Sequence, residues 1–334
     1  MHVLIIGGTG TISRAIVRAL LHNGHRVTIY NRGQRADQPP SDVEIIVGDR
    51  RDRATFESTL QKRSFDVAID MISFNADDAA SSLRALPNVG HFIQTSTVMT
   101  YGPPFTSLYQ DTDAPLNGRH DGGYGAGKVA ADELLMQAHQ RGPVPITIVK
   151  PSFTFGPGHT LFRQIDWKSS WLDRLKKRKP IIEAAEGLNY FQYLPTPDAA
   201  DAYVALCGLK ASFGQIVHVV NPTATTWHEW HGLAAQALNV PLETVSVPWD
   251  ILVAADAQRF SALTTCLGHN QVFSPRSLLA LVPDWQPRVP LAHAVSETIE
   301  WMQRHNTIED SDLDPLEDRL IAAMRQIRGT FRTS

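Results

Sequence analysis

Cysteine is nearly absent from this chain: there are two among 334 residues, Cys207 and Cys266. Two thiols so far apart in sequence give no disulfide framework and fit a reducing cytoplasm. A positive surplus is lacking too. With 31 Lys and Arg against 34 Asp and Glu, the formal net charge is -3, which argues against nucleic acid as a partner. No apolar run suits a membrane span. The opening "VLII" gives way at once to glycine and is too short for a signal peptide. Repeats and low-complexity stretches are missing, and so is a metal motif: His228 and His231 of "WHEWH" stand i, i+3, not the i, i+4 of a zinc helix. What remains, 43% hydrophobic and 19% charged, is a globular composition. The length exceeds what one core usually serves, so two lobes are expected.

The first thirty residues have a simple layout. Val3 to Ile6 form a continuous apolar run, as in a strand covered on both faces. Glycines follow, then Ile12, Ile16, Leu20 and Leu21 recur at helical spacing until Asn23-Gly24 ends the helix. Val27 to Tyr30 make the next strand, completing a βαβ unit. Glycines at such a turn let backbone N–H groups approach a pyrophosphate at the helix N-terminus. Gly7, Gly8, Thr9, Gly10, Thr11 and Ile12 are therefore expected to hold a dinucleotide.

The end of the second strand bears on which dinucleotide. An acidic residue there would bind a ribose 2′-hydroxyl and repel a 2′-phosphate. Here the residues are Asn31, which is neutral, and Arg32, whose guanidinium can bind phosphate. NADP(H) is expected to be preferred over NAD(H).

Strand and helix alternate onward. "VEIIVGD" (43–49), "FDVAID" (65–70), "HFIQTST" (91–97) and "PITIVK" (145–150) read as strands, with helices near 52–63 and 76–86. The pattern is an α/β, Rossmann-type doubly wound parallel sheet. Beyond residue 151, proline and aromatic residues punctuate the chain, as suits a smaller C-terminal substrate lobe over the carboxyl ends of the strands. The expected division is 1–150 with 196–220 for the nucleotide domain, 151–195 and 221–304 for the lobe, and 305–334 for a helical tail. That tail, "LDPLEDRLIAAMRQIRG", is amphipathic and would cap the fold or pair between subunits. The basic cluster "RLKKRKP" (174–180) reads as a solvated helix end.

Four landmarks in order, "GGTGTIS", "GDRRD", "TSTVMTYG" and "YGAGK", are similar to those of extended short-chain dehydrogenase/reductases of the NAD-dependent epimerase/dehydratase family. The resemblance runs from Met1 to about Asn221, and it implies roles. Tyr124 would be the general acid/base and Lys128 its tuner, four residues on along one helix face. Lowering a phenol from about 10 to about 7 takes roughly 4 kcal/mol of preferential phenolate stabilisation. The resemblance assigns that to Lys128 and an oxidised nicotinamide ring. Thr97, four residues before Tyr101-Gly102, would orient the substrate oxygen, with Ser96 as its rival on alternation grounds. Asp49, with Arg50 beside it, would meet the adenine; an Asp capping the next helix is the alternative.

The chain also departs from its likeness. Val98 and Met99 stand where sugar-nucleotide dehydratases carry Asp-Glu, so 4,6-dehydration is not expected. Phe153 and Phe191 replace the Asn and the diphosphate-binding Arg of nucleotide-sugar epimerases, and a phenyl ring is no phosphate donor. Arg163, Lys168 and Arg174 are the cations that could compensate. Phe155, Phe162, Trp167, Trp171, Tyr190 and Tyr193 add to an aromatic-rich lobe, most of it expected to be core. The resulting expectation is an NAD(P)-dependent epimerase or reductase acting at a secondary alcohol or ketone carbon. Its substrate would be a small, sugar-like molecule other than a standard UDP-sugar. The alternatives are a ketone reductase with net NADPH turnover and a non-catalytic, RNA-binding relative. Cytoplasmic location and a homodimer complete the expectations, with no metal, nucleic acid or membrane.

Overall fold

The computed structural model describes residues 1–34, 39–105, 107–142 and 144–332. They form two units. The first comprises Met1–Thr154, Leu194–Pro222 and Phe273–Arg288; the second comprises Phe155–Tyr193, Thr223–Val272 and the chain from Val289 on.

The first unit is built on seven strands: β1 (His2–Ile6), β2 (Arg26–Asn31), β3 (Glu44–Val47), β4 (Val67–Asp70), β5 (His91–Thr95), β6 (Ile146–Pro151) and β7 (Ile216–Val219). All neighbours pair parallel, in the order β7-β6-β5-β4-β1-β2-β3. The apolar run of β1 is central because both its faces need cover. Val3 and Ile5 pack with Ile16 and Leu20 of α1 (Thr11–His22) and with Ala199, Ala202 and Tyr203 of α5 (Thr196–Leu206). Leu4 and Ile6, one pleat over, pack with Phe56 of α2 (Arg53–Leu60), Ala79 of α3 (Ala76–Ala85) and Leu135 of α4 (Tyr124–Arg141). Chain order reverses between β1 and β4. Open sheets of this class bind ligands at that switch point, beyond the carboxyl ends of the strands.

Two boundaries differ from the sequence reading. Residues 273–288 belong to the first unit because Trp285 Nε1 donates to the Asp198 carbonyl at 3.3 Å and the Ser277 hydroxyl accepts from the His218 N–H at 2.9 Å. Strand β5 stops at Thr95. Residues 96 and 97 lead into a 3₁₀ turn, Val98–Thr100, whose first free N–H groups are met by the Thr97 side chain accepting from Met99 N at 3.2 Å.

In the second unit, Ile181–Glu183 pairs parallel with Thr244–Ser246 over a core of Ile165, Ile182, Val245, Leu252, Phe260 and Leu263. The helix Pro315–Arg332 closes this core with Leu316, Leu320, Ile321 and Met324, so the tail caps its own unit. Residues 333 and 334 of that tail lie outside the described residues. Tyr193 stacks on Trp230 at 3.6 Å, and Phe155, Phe191 and Trp227 fit around them. Trp167, Tyr190 and Trp249 are exposed instead.

The basic cluster 174–180 is a helix end, with Lys176, Lys177 and Arg178 exposed, but it is not only solvated. Buried Arg174 donates to Asp318 at 2.7 Å, while Lys177 and Lys179 reach Asp310 and Asp312 at 2.7 Å. These cations fasten the tail.

Candidate functional site

The glycine turn follows directly from β1. Gly7 (φ 117) and Gly8 (φ 88) occupy the left-handed half of backbone space, and a Cβ on Gly8 would stand 2.7 Å from Ile29 Cγ2. Only glycine serves there. Gly10 is the N-cap of α1, with no side-chain cap bond and no acidic residue in the first turn. Ser13 fills the third small position of the fingerprint by accepting from Gly10 N at 2.9 Å. Thr9, Thr11 and Ile12 are half-buried around this turn. A positive helix end without an anionic side chain, fronted by bare backbone, fits a pyrophosphate.

Beside it, Asn31 closes β2 and its Oδ1 accepts from Gly33 N at 2.7 Å, leaving the amide group for other contacts. Arg32 is exposed. Asp49 lies next to Arg51, whose Nε and Nη2 donate to its carboxylate at 3.0 and 2.6 Å and hold that carboxyl well below its ordinary range. The helix cap considered for Asp49 is supplied by Asp52 instead, which accepts from Thr55 N at 3.2 Å. Arg51, which sequence reasoning passed over, brings a second exposed guanidinium to the edge that carries Arg32 and Asp49. The Arg50 side chain goes elsewhere. It is buried, bidentate to Asp70 at 3.0 Å, and donates to the Asp78 carbonyl and the Ser82 hydroxyl. Its guanidinium is structural, joining β4 to α3, and leaves only its backbone to a nucleotide.

The other half of the site is the start of α4. Asp121 fixes it by accepting from the N–H groups of Gly123, Gly125 and Ala126 at 2.7–3.0 Å. Gly127 lets the helix pass against the Phe74 carbonyl, where a Cβ would collide. Tyr124 thus begins the helix 51% exposed, with its hydroxyl close enough to the Thr97 side chain to be influenced by it. The Ser96 hydroxyl turns the other way, to Asp132 at 2.7 Å. Between the two rivals, then, it is Thr97 that the backbone brings to Tyr124. Lys128 is buried and donates to the carbonyls of Ser73 (2.8 Å) and Thr95 (2.6 Å). Its ammonium lies 5.0 Å from the Phe74 ring centre and 5.8 Å from that of Tyr124.

The electrostatics differ from expectation in one respect. The chain alone does not acidify Tyr124: burial raises its pKa above the ordinary 10, and the nearby Thr97 side chain offsets this only in part. Burial also lowers Lys128 to about 8, against the pull of Asp70 and Asp132. A half-desolvated ammonium that already serves two carbonyls is a weak acidifier. The phenol is held protonated.

In the second unit, the three cations named as replacements for a diphosphate clamp are all engaged. Arg163 binds Asp166 and Glu317, Lys168 binds Asp314, and Arg174 binds Asp318. Phe191 packs on Trp227 at 4.8 Å. His228 and His231 both turn to Glu183, at 3.0 and 2.7 Å. Among the described residues no cluster of three or more His, Cys, Asp or Glu side chains is placed to hold a metal, and no helix is long and apolar enough to cross a membrane.

Comparison with known proteins follows the same lines. The model of the NAD dependent epimerase/dehydratase family matches residues 3–219. The 2'-dehydrokanamycin reductase of Streptomyces kanamyceticus is 27% identical over 98% of this chain and 92% of its own length. A chloroplast stem-loop binding protein of 41 kDa from Arabidopsis thaliana is 26% identical over 72% of this chain and 64% of its own. Among solved structures, the UDP-glucose 4-epimerase of Thermus thermophilus in complex with NAD superposes with a TM-score of 0.69. It is 18% identical, over 91% of this chain and 99% of the other.

Proposed function

Since the chain belongs to the NAD-dependent epimerase/dehydratase family, we propose that it is a nicotinamide-dependent reductase that converts a ketone on a sugar-like small molecule to a secondary alcohol. The observation that carries this reading is the convergence of the Tyr124 and Thr97 side chains beside Lys128, in the unit that holds the glycine turn. The bound dinucleotide, when reduced, supplies the hydride. Thr97 and Tyr124 both meet the carbonyl oxygen, and Tyr124 gives it a proton as negative charge develops there. A phenol kept protonated by burial suits this direction. Lys128 holds its place on the helix and presents its remaining N–H to the nucleotide ribose.

NADPH is the preferred reductant on this reading. Arg32 offers a guanidinium group for a 2′-phosphate and Asn31 brings no opposing charge, while Arg51 is engaged by Asp49. The substrate carries no nucleoside diphosphate, because Arg163, Lys168 and Arg174 are neutralised by carboxylates and Phe191 is apolar. The likeness to 2'-dehydrokanamycin reductase supports a reductive role on a keto-sugar framework. An RNA-binding role, suggested by the name of the stem-loop binding relative, is disfavoured by the net charge of -3 and by the assembled Thr97, Tyr124 and Lys128. Two buried free thiols, Cys207 and Cys266, go with a reducing cytoplasm.

The test is to follow NADPH absorbance with a panel of keto-sugars, an oxidised aminoglycoside among them. Stoichiometric NADPH loss with alcohol formation is the expected result. Exchange between epimers with no NADPH loss would make the protein an epimerase instead. Failure to bind either dinucleotide would remove the reading altogether.

A further inference from the structure

Below the Tyr124–Lys128 face of α4 lie buried polar groups that the proposed reaction does not use. Asp132, one helical turn beyond Lys128, is 2% exposed. Its Oδ2 accepts from the Ser96 hydroxyl at 2.7 Å and lies 3.4 Å from the Lys150 ammonium at the end of β6. Lys150 is fully buried and donates to Thr100 Oγ1 at 2.9 Å. That hydroxyl in turn donates to the Thr97 carbonyl at 2.9 Å. The other Asp132 oxygen, Oδ1, has no hydrogen-bond partner. A buried carboxylate with an idle oxygen, set against a buried lysine, is expensive; apolar residues of like size would pack there without that cost.

What the network accomplishes is connection. Through Ser96 it grips the residue before Thr97, and through Lys150 and Thr100 it grips Thr97's own carbonyl. Its fixed end is the helix that carries Tyr124 and Lys128. Resting on the reductase reading above, we propose that Asp132 is a positioning residue for the reaction: it ties the Thr97 turn to α4 through Ser96 and Lys150, and its charge balances the buried Lys128 ammonium.

The charged groups that face Lys128 are Asp70 of β4, Asp132 on its own helix, Arg50 before α2 and Asp78 of α3, with the neutral Tyr124 phenol one turn back. Asp70 is held bidentate by Arg50, which also lies 3.9 Å from Asp78, so those three charges largely answer one another. Burial raises the pKa of the Asp132 carboxyl, and Lys150 at 3.4 Å, the Ser96 hydroxyl and Lys128 act against that rise and favour its charged form.

The experiment labels the lysine side chains of the full chain with ¹³C and titrates Lys128 by NMR, its signal assigned by its loss in Lys128→Arg. In Asp132→Asn, which keeps the size and the acceptor for Ser96, the Lys128 midpoint should fall by about one pH unit or more, as expected for losing a nearby opposite charge. The alkaline limb of kcat should move down with it while KM stays put. Ser96→Ala should lower kcat about tenfold with the Lys128 titration unchanged, since only the tether is cut. An unmoved Lys128 midpoint in Asp132→Asn, or wild-type kcat in Ser96→Ala, overturns the proposal. If Asp132→Asn does not fold, Asp132→Asn/Lys150→Met removes both buried charges and must show the same fall. The NMR titration needs no substrate. A wild-type protein that turns over no ketone therefore sinks the reductase reading, while Asp132's hold on Lys128 is still read independently.

Discussion

The phenol of Tyr124, first residue of α4, faces the side chain of Thr97, two residues past the end of β5. Two elements that are separate in the sequence thus present hydroxyl groups to one point, as delivery of a proton to a carbonyl oxygen requires. Tyr124→Phe removes the proton donor and keeps the ring. Its kcat for ketone reduction should fall by about 10²–10⁴, with NADPH affinity and melting temperature near wild type. Thr97→Ala should cost about 10²–10³ in kcat. Fluorescence titration with NADPH checks that binding survives. Equal loss of binding and turnover in Tyr124→Phe would mean that the phenol serves the nucleotide rather than the reaction.

The pH dependence has a definite sign. Lys128 is lowered from 10.5 to about 8 by burial, so its ammonium is present below pH 8 and lost above it. Tyr124 is raised and stays protonated throughout that range. Reductive turnover should therefore be level near neutrality and decline as pH passes about 8, with the decline belonging to Lys128. Stability moves oppositely. A lysine whose folded pKa is below its unfolded one is penalised at low pH, and the penalty disappears as pH rises from 8 to 10.5. Lys128→Met should abolish the alkaline decline and most activity, yet melt no lower than wild type at pH 7. Chemical denaturation across pH measures the second claim.

Cofactor choice turns on Asn31 and Arg32. The wild type should bind NADPH more tightly than NADH. Asn31→Asp puts a carboxylate where it can bind a ribose hydroxyl and repel a 2′-phosphate, and the affinity ratio should move towards NADH by about tenfold, or roughly 1.4 kcal/mol. Arg32→Ala should weaken NADPH and leave NADH nearly unchanged. The paired Kd values decide this. A wild type that prefers NADH would refute the assignment.

Much of the fold can be read from local pattern. Val3–Ile6, the glycines and the 3.6-residue spacing of Ile12, Ile16 and Leu20 are self-contained signals, because each element is specified within its own few residues. Tyr124, Lys128 and Thr97 could be picked out only through their order along a family pattern, since four-residue spacing by itself is common. What sequence reading missed depends on partners far along the chain. Arg50 reads as one of two adjacent basic residues until Asp70 and Ser82 fold against it. Ser96 and Thr97 read as strand because Ser96 N still bonds the Val149 carbonyl and Thr97 is extended, and the break comes from the 3₁₀ turn after them. Asp132 carried a usable signal, a charged residue one turn past Lys128 on the buried face, but Lys150 and Ser96 approach it only through the sheet.

The basic cluster at 174–180 is the plainest such case, and it yields the last prediction. Arg163 and Arg174 are both buried, and Glu317 of the tail helix lies 2.7 Å from the first and 3.4 Å from the second. Glu317 also accepts from Ile182 N at 3.1 Å, so one carboxylate closes the strand pair, two guanidinium groups and the tail together. Removing it takes a carboxylate from two buried cations at once, leaving Arg163 with Asp166 and Arg174 with Asp318. Glu317→Ala should therefore cost about 3–5 kcal/mol, the scale for breaking a buried ion pair. Lys179→Ala, which removes a partly exposed pair with Asp312, should cost about 1 kcal/mol or less. Both are read from urea unfolding midpoints. Added salt should weaken the Lys179 contact and barely touch that of Glu317, because solvent ions reach only the exposed pair. If Glu317→Ala were as mild as Lys179→Ala, the tail would be a loosely held strap, and the second unit would owe its cohesion to its aromatic core alone.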